Sequence, residues 1–225
     1  MKTSYHHLLA VLFWTAAVHA DVLLINPGTS LTGTPNGATY TVGYDFTVGS
    51  EPLLVTELGI WDQGQDGLST QHIVGLWDTG GDLLTSLIIP AGTSATLDGQ
   101  FRYESLASPV LLSADSDFII GASYVSGDAD RFLVARTFEN ANPIFNSAVV
   151  PGGERFGANP STMTFPSYSG GAPNLGDFGP NMVFDVIPEP SVFCLSAICV
   201  VCWTVLSRKT KQMHMPPNTR IGCSA

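Results

Sequence analysis

The sequence predicts an all-β protein: an antiparallel β-sandwich of jelly-roll type, flanked by an N-terminal signal peptide and a C-terminal transmembrane helix. Three observations carry this. Between residues 22 and 187 no stretch keeps a 3.6-residue apolar period for four turns, whereas short β-branched and aromatic runs recur between clusters of Gly, Pro, Asn and Asp. Charged residues make up only 12% of the chain while Gly (23) and Pro (15) are plentiful, a composition that suits turns and strands better than solvated helices. The two apolar segments that break this pattern stand at the two ends of the chain.

The first segment, residues 1–20, has Lys2, then the apolar run Leu8 to Ala17, then Val18-His19-Ala20 before Asp21. A short basic region, an apolar core of about 7 to 15 residues and small residues at −3 and −1 describe a secretory signal, with cleavage expected between Ala20 and Asp21. The run is too short to span about 30 Å of hydrocarbon as an uncleaved anchor.

The body, residues 21–187, has strands expected at Thr39 to Val48, Leu53 to Trp61, His72 to Trp77, Leu83 to Ile89, Gln100 to Leu106, Asp117 to Val125, Arg131 to Thr137 and Asn181 to Ile187. In Tyr40-Thr41-Val42-Gly43-Tyr44-Asp45-Phe46 the even positions are apolar, so one face is buried and the other wetted. Turn signals stand at Asp78-Thr79-Gly80-Gly81-Asp82 and at Asp98-Gly99. Residues 151–180, rich in Pro, Gly, Ser and Asn, read as a long loop with room for a short strand.

After the body, residues 191–207 carry no charge over 17 positions, about 26 Å as a helix and at the short end for a membrane span. A buried core helix is the alternative. Arg208-Lys209-Thr210-Lys211 follows directly and favours the membrane, because Lys and Arg collect on the cytoplasmic side of a span. The expected topology places the body outside, the basic cluster inside, and residues 212–225 as a cytoplasmic tail. Cys194, Cys199 and Cys202 fall within the apolar segment and Cys223 in the tail; the first three read as helix residues, with lipidation or metal binding as alternatives.

Charge excludes one class of partner. Between Asp21 and Ile187 stand 18 carboxylates against four arginines and no lysine, whereas binding a phosphate backbone requires a basic footprint, so nucleic acid is not an expected partner. Catalytic options are also few. The body has no Cys, no Lys and His72 as its only histidine, which removes thiol catalysis, Schiff-base chemistry and multi-histidine zinc sites. His72 has no nucleophile-elbow sequence to pair with and reads as a structural or surface histidine.

Paired carboxylates keep glycoside hydrolysis open by inventory, since the required spacing is a tertiary property. No cofactor is required by any motif, but calcium has weak candidate ligands. Asp62-Gln63-Gly64-Gln65-Asp66-Gly67 resembles the opening of a calcium loop, although Ile73 stands where its terminal Glu belongs. The Asp128-Ala129-Asp130 pair offers oxygens of the same kind; for both segments an ordinary turn is the competing reading. Trp61 and Trp77, with Phe101, Tyr103 and Tyr124, either form a stacking face for sugars or belong to the core.

The order Ile187-Pro188-Glu189-Pro190-Ser191, an apolar segment and a basic cluster resembles the PEP-CTERM sorting signal of Gram-negative bacteria. The resemblance implies recognition at the inner membrane by an exosortase-type processing enzyme after export by the secretion machinery. It assigns Pro188, Glu189, Pro190 and Ser191 to the sorting motif, and Arg208, Lys209 and Lys211 to the basic stop. Residues 212–225 extend past the point where such signals usually end. A second resemblance, over about residues 38–136, is to a β-sandwich family of uncharacterised exported modules. It rests on Leu58-Gly59-Ile60-Trp61-Asp62, Val74-Gly75-Leu76-Trp77-Asp78, Phe101-Arg102-Tyr103 and Ile120-Gly121-Ala122-Ser123-Tyr124. Together these readings lead to the expectation of a noncatalytic cell-surface or matrix protein. A carbohydrate-binding module for extracellular polysaccharide is the first alternative and a secreted glycoside hydrolase the second.

Overall fold

Alternation of side chains across a strand decides the architecture. In β4 (Thr39–Val48) the even residues Val42, Tyr44, Phe46 and Val48 are buried, as are Phe118, Ile120, Ala122 and Tyr124 in β10 (Asp117–Tyr124) and Val74 and Leu76 in β6 (His72–Asp78). Each of these strands therefore needs a second layer over the same face. It comes from β5 (Leu53–Trp61), β9 (Phe101–Leu112) and β16 (Pro180–Val186), which contribute Leu53, Val55, Leu58, Ile60, Leu112, Met182 and Phe184 to one continuous core.

The computed structural model describes residues 21–26, 31–33, 39–135, 143–159, 163–170 and 176–188. Among them there are strands and turns but no helix. One sheet has five strands in the order β1-β16-β5-β9-β8, with β1 at Asp21–Val22 and β8 at Thr96–Asp98. The other has six, in the order β14-β13-β4-β10-β6-β7, with β7 at Leu83–Ile89, β13 at Val149–Asn159 and β14 at Tyr168–Ser169. Two smaller sheets pair β15 (Gly176–Phe178), β11 (Phe132–Ala135) and β3 (Leu31–Gly33), and β12 (Ile144–Phe145) with β2 (Leu24–Asn26). Every strand pair is antiparallel.

The expected loop over residues 151–180 is corrected by this topology. Most of its first part belongs to β13, which pairs with β4 from Val149↔Val48 to Asn159↔Thr39. Pro151-Gly152-Gly153, a turn signature in sequence, is instead a bulge between Pro151 and Glu154. The bulge turns the main chain onto Asp45, whose carboxylate accepts from the Gly153 amide and from Arg155 Nε at 2.7 Å. A Cβ at Gly152 would collide with that carboxylate, which is why a glycine stands there. Residues 163–166 then run over the outer face of the six-stranded sheet, and β14 pairs with the outer edge of β13.

The expected signal peptide, residues 1–20, and the apolar segment 191–207 lie outside the described residues. No described helix is long and apolar enough to cross a membrane. The chain divides into two compact units, residues 1–187 and 188–225.

Candidate functional site

β5 ends at Trp61 and β6 begins at His72, so residues 62–71 must connect the two sheets across one end of the sandwich. Connections of this length leave several main-chain amides without ladder partners, and buried polar groups of that kind need acceptors. Two clusters of buried charge supply them, one at each end of the connection.

At the first end Asp62, 2% exposed, receives Arg102 Nε at 2.6 Å and the Gly67 amide at 3.1 Å. Arg102 pairs with Ile60 in the β5–β9 register and so projects to the same face as that core residue. Its other nitrogens donate to the carbonyls of Ala95 at 3.0 Å, Thr93 at 3.3 Å and Gln65 at 3.4 Å. The Asp62 carboxylate is thus engaged by a guanidinium, and Asp66 is exposed to solvent. No group of three or more metal-ligating side chains among the described residues includes Asp62 or Asp66, and Gly64, Gln65 and Gly67 adopt positive φ in this turn.

At the second end His72, Asp128 and Asp130 converge, with one ligating atom from each lying within 4.8 Å of the others. His72 has the phase of Val74 and Leu76 and is wholly buried, its ring 4.8 Å from that of Tyr124. Nδ1 lies 2.8 Å from the Ser123 carbonyl and Nε2 lies 2.8 Å from Asp130 Oδ2. Asp130 also accepts from the Ser69 amide at 2.9 Å and the Thr70 amide at 3.2 Å. Asp128 Oδ1 accepts from Ser69 Oγ at 3.0 Å and from the Asp130 amide at 2.9 Å. Asp128 Oδ2 is buried without a hydrogen-bond partner and faces His72 Nε2 at 3.7 Å.

Burial raises the Asp130 carboxyl, but the His72 hydrogen bond, the Ser69 and Thr70 amides and the nearby imidazole charge outweigh it and hold the group at about 2 instead of 3.8. A carboxyl lowered on folding contributes stability that is present above pH 4 and lost as pH falls through about 2. Asp130→Asn should therefore flatten the acid limb. Denaturation midpoints at pH 5 and pH 2.5 are expected to lie closer together in the variant than in the parent protein.

Asp128 and Asp130, which the sequence offers as calcium oxygens or as an ordinary turn, lie together with His72, which it offers as a structural or surface histidine. The signal that joins them is register: Ala122↔Val74 in the β10–β6 ladder places Tyr124 opposite His72 and the turn 125–130 directly beyond it. Of the two readings of Trp61 and Trp77, a sugar platform or packed residues, burial at 6% and 3% exposure favours the second. Trp61 donates from Nε1 to Gln100 at 3.4 Å, and Trp77 lies on the outer face under Phe165, with ring centroids 6.3 Å apart. Phe101, Tyr103 and Tyr124 are buried as well. Pro188 is exposed; the other sorting-motif residues and the basic stop lie outside the described residues.

No family model and no curated protein matches the chain. Among solved structures, a chain of the T13 viral particle of IBDV, an icosahedral virus, is similar over 83% of this chain and 43% of its own length. The identity is 9% and the TM-score 0.26, a likeness too weak to carry an argument.

Proposed function

We propose that the chain is an exported, noncatalytic surface or matrix protein whose all-β body is delivered, held and released by its C-terminal sorting segment. The observation that carries this reading is that the described strands lie between the two expected processing points and pair with one another at their ends. The first described strand begins at Asp21, the expected mature N-terminus, and pairs with the last described strand through Asp21↔Phe184 and Val22↔Val183. The last described tie to the body is the Ile187 amide on the Pro52 carbonyl at 2.9 Å, and the Pro-Glu-Pro motif begins at the next residue. Cleavage at Ala20 and near Pro188 would remove none of the described strands.

The buried state of His72 supports a noncatalytic body. Both ring nitrogens are engaged and no solvent reaches them, so the body's single histidine has no access to a substrate. The partners implied are the secretion machinery, an exosortase-type enzyme and the inner membrane through residues 191–207, with extracellular polysaccharide as the destination environment.

Mass determination of the protein from each fraction of a host with an active exosortase tests the reading at both ends. The expected product starts at Asp21, ends near Pro188 to Ser191 and accumulates outside the cell. Replacement of Pro188, Glu189 and Pro190 by alanine should leave the longer form in the membrane fraction. An unprocessed parent protein in that host would overturn the proposal.

A further inference from the structure

We infer that His72, Asp128 and Asp130 form a binding site for one borderline divalent metal ion of the zinc class, which locks residues 62–71 to the turn at 125–130. The argument begins with the His72 tautomer. A carbonyl oxygen only accepts, so the Ser123 contact at 2.8 Å requires a proton on Nδ1. In the neutral ring Nε2 then presents a lone pair, and it points at two carboxylates that, ionised, also only accept. Something positive must stand between these three acceptors.

A proton on Nε2 answers only half of this. It satisfies Asp130 Oδ2 at 2.8 Å but leaves Asp128 Oδ2 at 3.7 Å with no donor, on a side chain that is 1% exposed. It also leaves one positive charge against two carboxylates, 1% and 14% exposed. A divalent cation balances both carboxylates beside a neutral imidazole and gives Asp128 Oδ2 its missing partner. Two donors about 2.1 Å from a tetrahedral ion lie about 3.4 Å apart, and the observed 2.8 and 3.7 Å bracket that separation. The Nδ1 hydrogen bond to a main-chain carbonyl is the second contact that orients a metal-binding imidazole.

The donor set selects the ion. Calcium takes six to eight oxygens, whereas one imidazole nitrogen with two carboxylate oxygens suits zinc or manganese. The remaining carboxylate oxygens are already committed to main-chain and Ser69 donors, which fixes the ligands before an ion arrives. This assignment does not depend on how the chain is exported or processed.

The test uses the full chain, stripped with chelator and titrated with zinc, manganese and calcium chlorides, with bound metal measured after equilibrium dialysis. Because Cys194, Cys199, Cys202, Cys223 and His214 also offer ligands, the readout is the difference between the parent protein and Asp128→Asn. This variant keeps the side-chain volume and alters the atom that lacks a partner. The expected result is one fewer equivalent of tightly bound zinc, with affinity at the site reduced at least about tenfold. Asp66→Asn, at an exposed carboxylate, should bind as the parent does. Should Asp128→Asn fail to fold, cobalt substitution of the parent protein gives a second readout: a visible band from nitrogen and oxygen ligation, displaced by zinc. Equal zinc uptake in parent and folded Asp128→Asn would overturn the site; so would calcium retained at it in preference to zinc, or, where the variant does not fold, a cobalt spectrum without such a band.

Discussion

Arg102→Met is expected to destabilise the protein by about 3–5 kcal/mol, the cost of leaving a buried carboxylate without its counter-ion. Both partners are nearly inaccessible, at 4% and 2% side-chain exposure, and Nε lies 2.6 Å from Asp62 Oδ2. Methionine keeps most of the stem volume, so the loss is electrostatic and of hydrogen bonds rather than of packing. The carbonyls of Thr93, Ala95 and Gln65 lose their donor at the same time. A melting temperature lower by roughly 10 °C is expected for a body of this size. Combining Arg102→Met with Asp62→Leu should recover part of the loss, because the stranded charge disappears while the three carbonyls remain unsatisfied. Thermal unfolding of the two single variants and the double variant separates these contributions. An Arg102→Met protein that melts within a degree or two of the parent would show that the pair does not hold the connection.

The same pair marks the limit of what could be read from the sequence. Strand positions were legible because a period of two is local: Thr39 to Val48, Leu53 to Trp61 and Leu83 to Ile89 coincide with β4, β5 and β7. Which strand lies beside which was not, since β4 has β13 and β10 as neighbours, far apart in the chain. β13 itself was hidden by Pro151-Gly152-Gly153, whose turn chemistry is also the chemistry of a bulge. The two carboxylate clusters divide in the same way. Asp128 and Asp130 sit two residues apart and were legible as a pair; His72 belongs with them only through the β6–β10 register. Asp62 resembles the first ligand of a calcium loop in sequence, and its ion-pair partner Arg102 stands 40 residues away.

Trp77→Ala is expected to cost about 3–5 kcal/mol while leaving any polysaccharide affinity unchanged, and the glycines around it say why. Gly75 is two residues before Trp77 on the outer face of β6, and Gly121 pairs with Gly75 on the neighbouring strand. A Cβ at Gly75 would sit 2.7 Å from the Trp77 ring and from Met163, and one at Gly121 would sit 3.2 Å from the same ring. The indole therefore lies flat along a strip of sheet that has no side chains of its own, and Met163, Phe165 and Pro166 close over it. Removing it opens a cavity between the sheet and its cover that neither glycine can fill. A sugar platform behaves in the opposite way: its loss weakens binding and leaves the melting curve in place, because the exposed face of such a ring has no cover to lose. Measuring thermal unfolding and polysaccharide retention on the same Trp77→Ala preparation distinguishes the two. Loss of retention in a protein that melts like the parent would restore the ring as a binding surface.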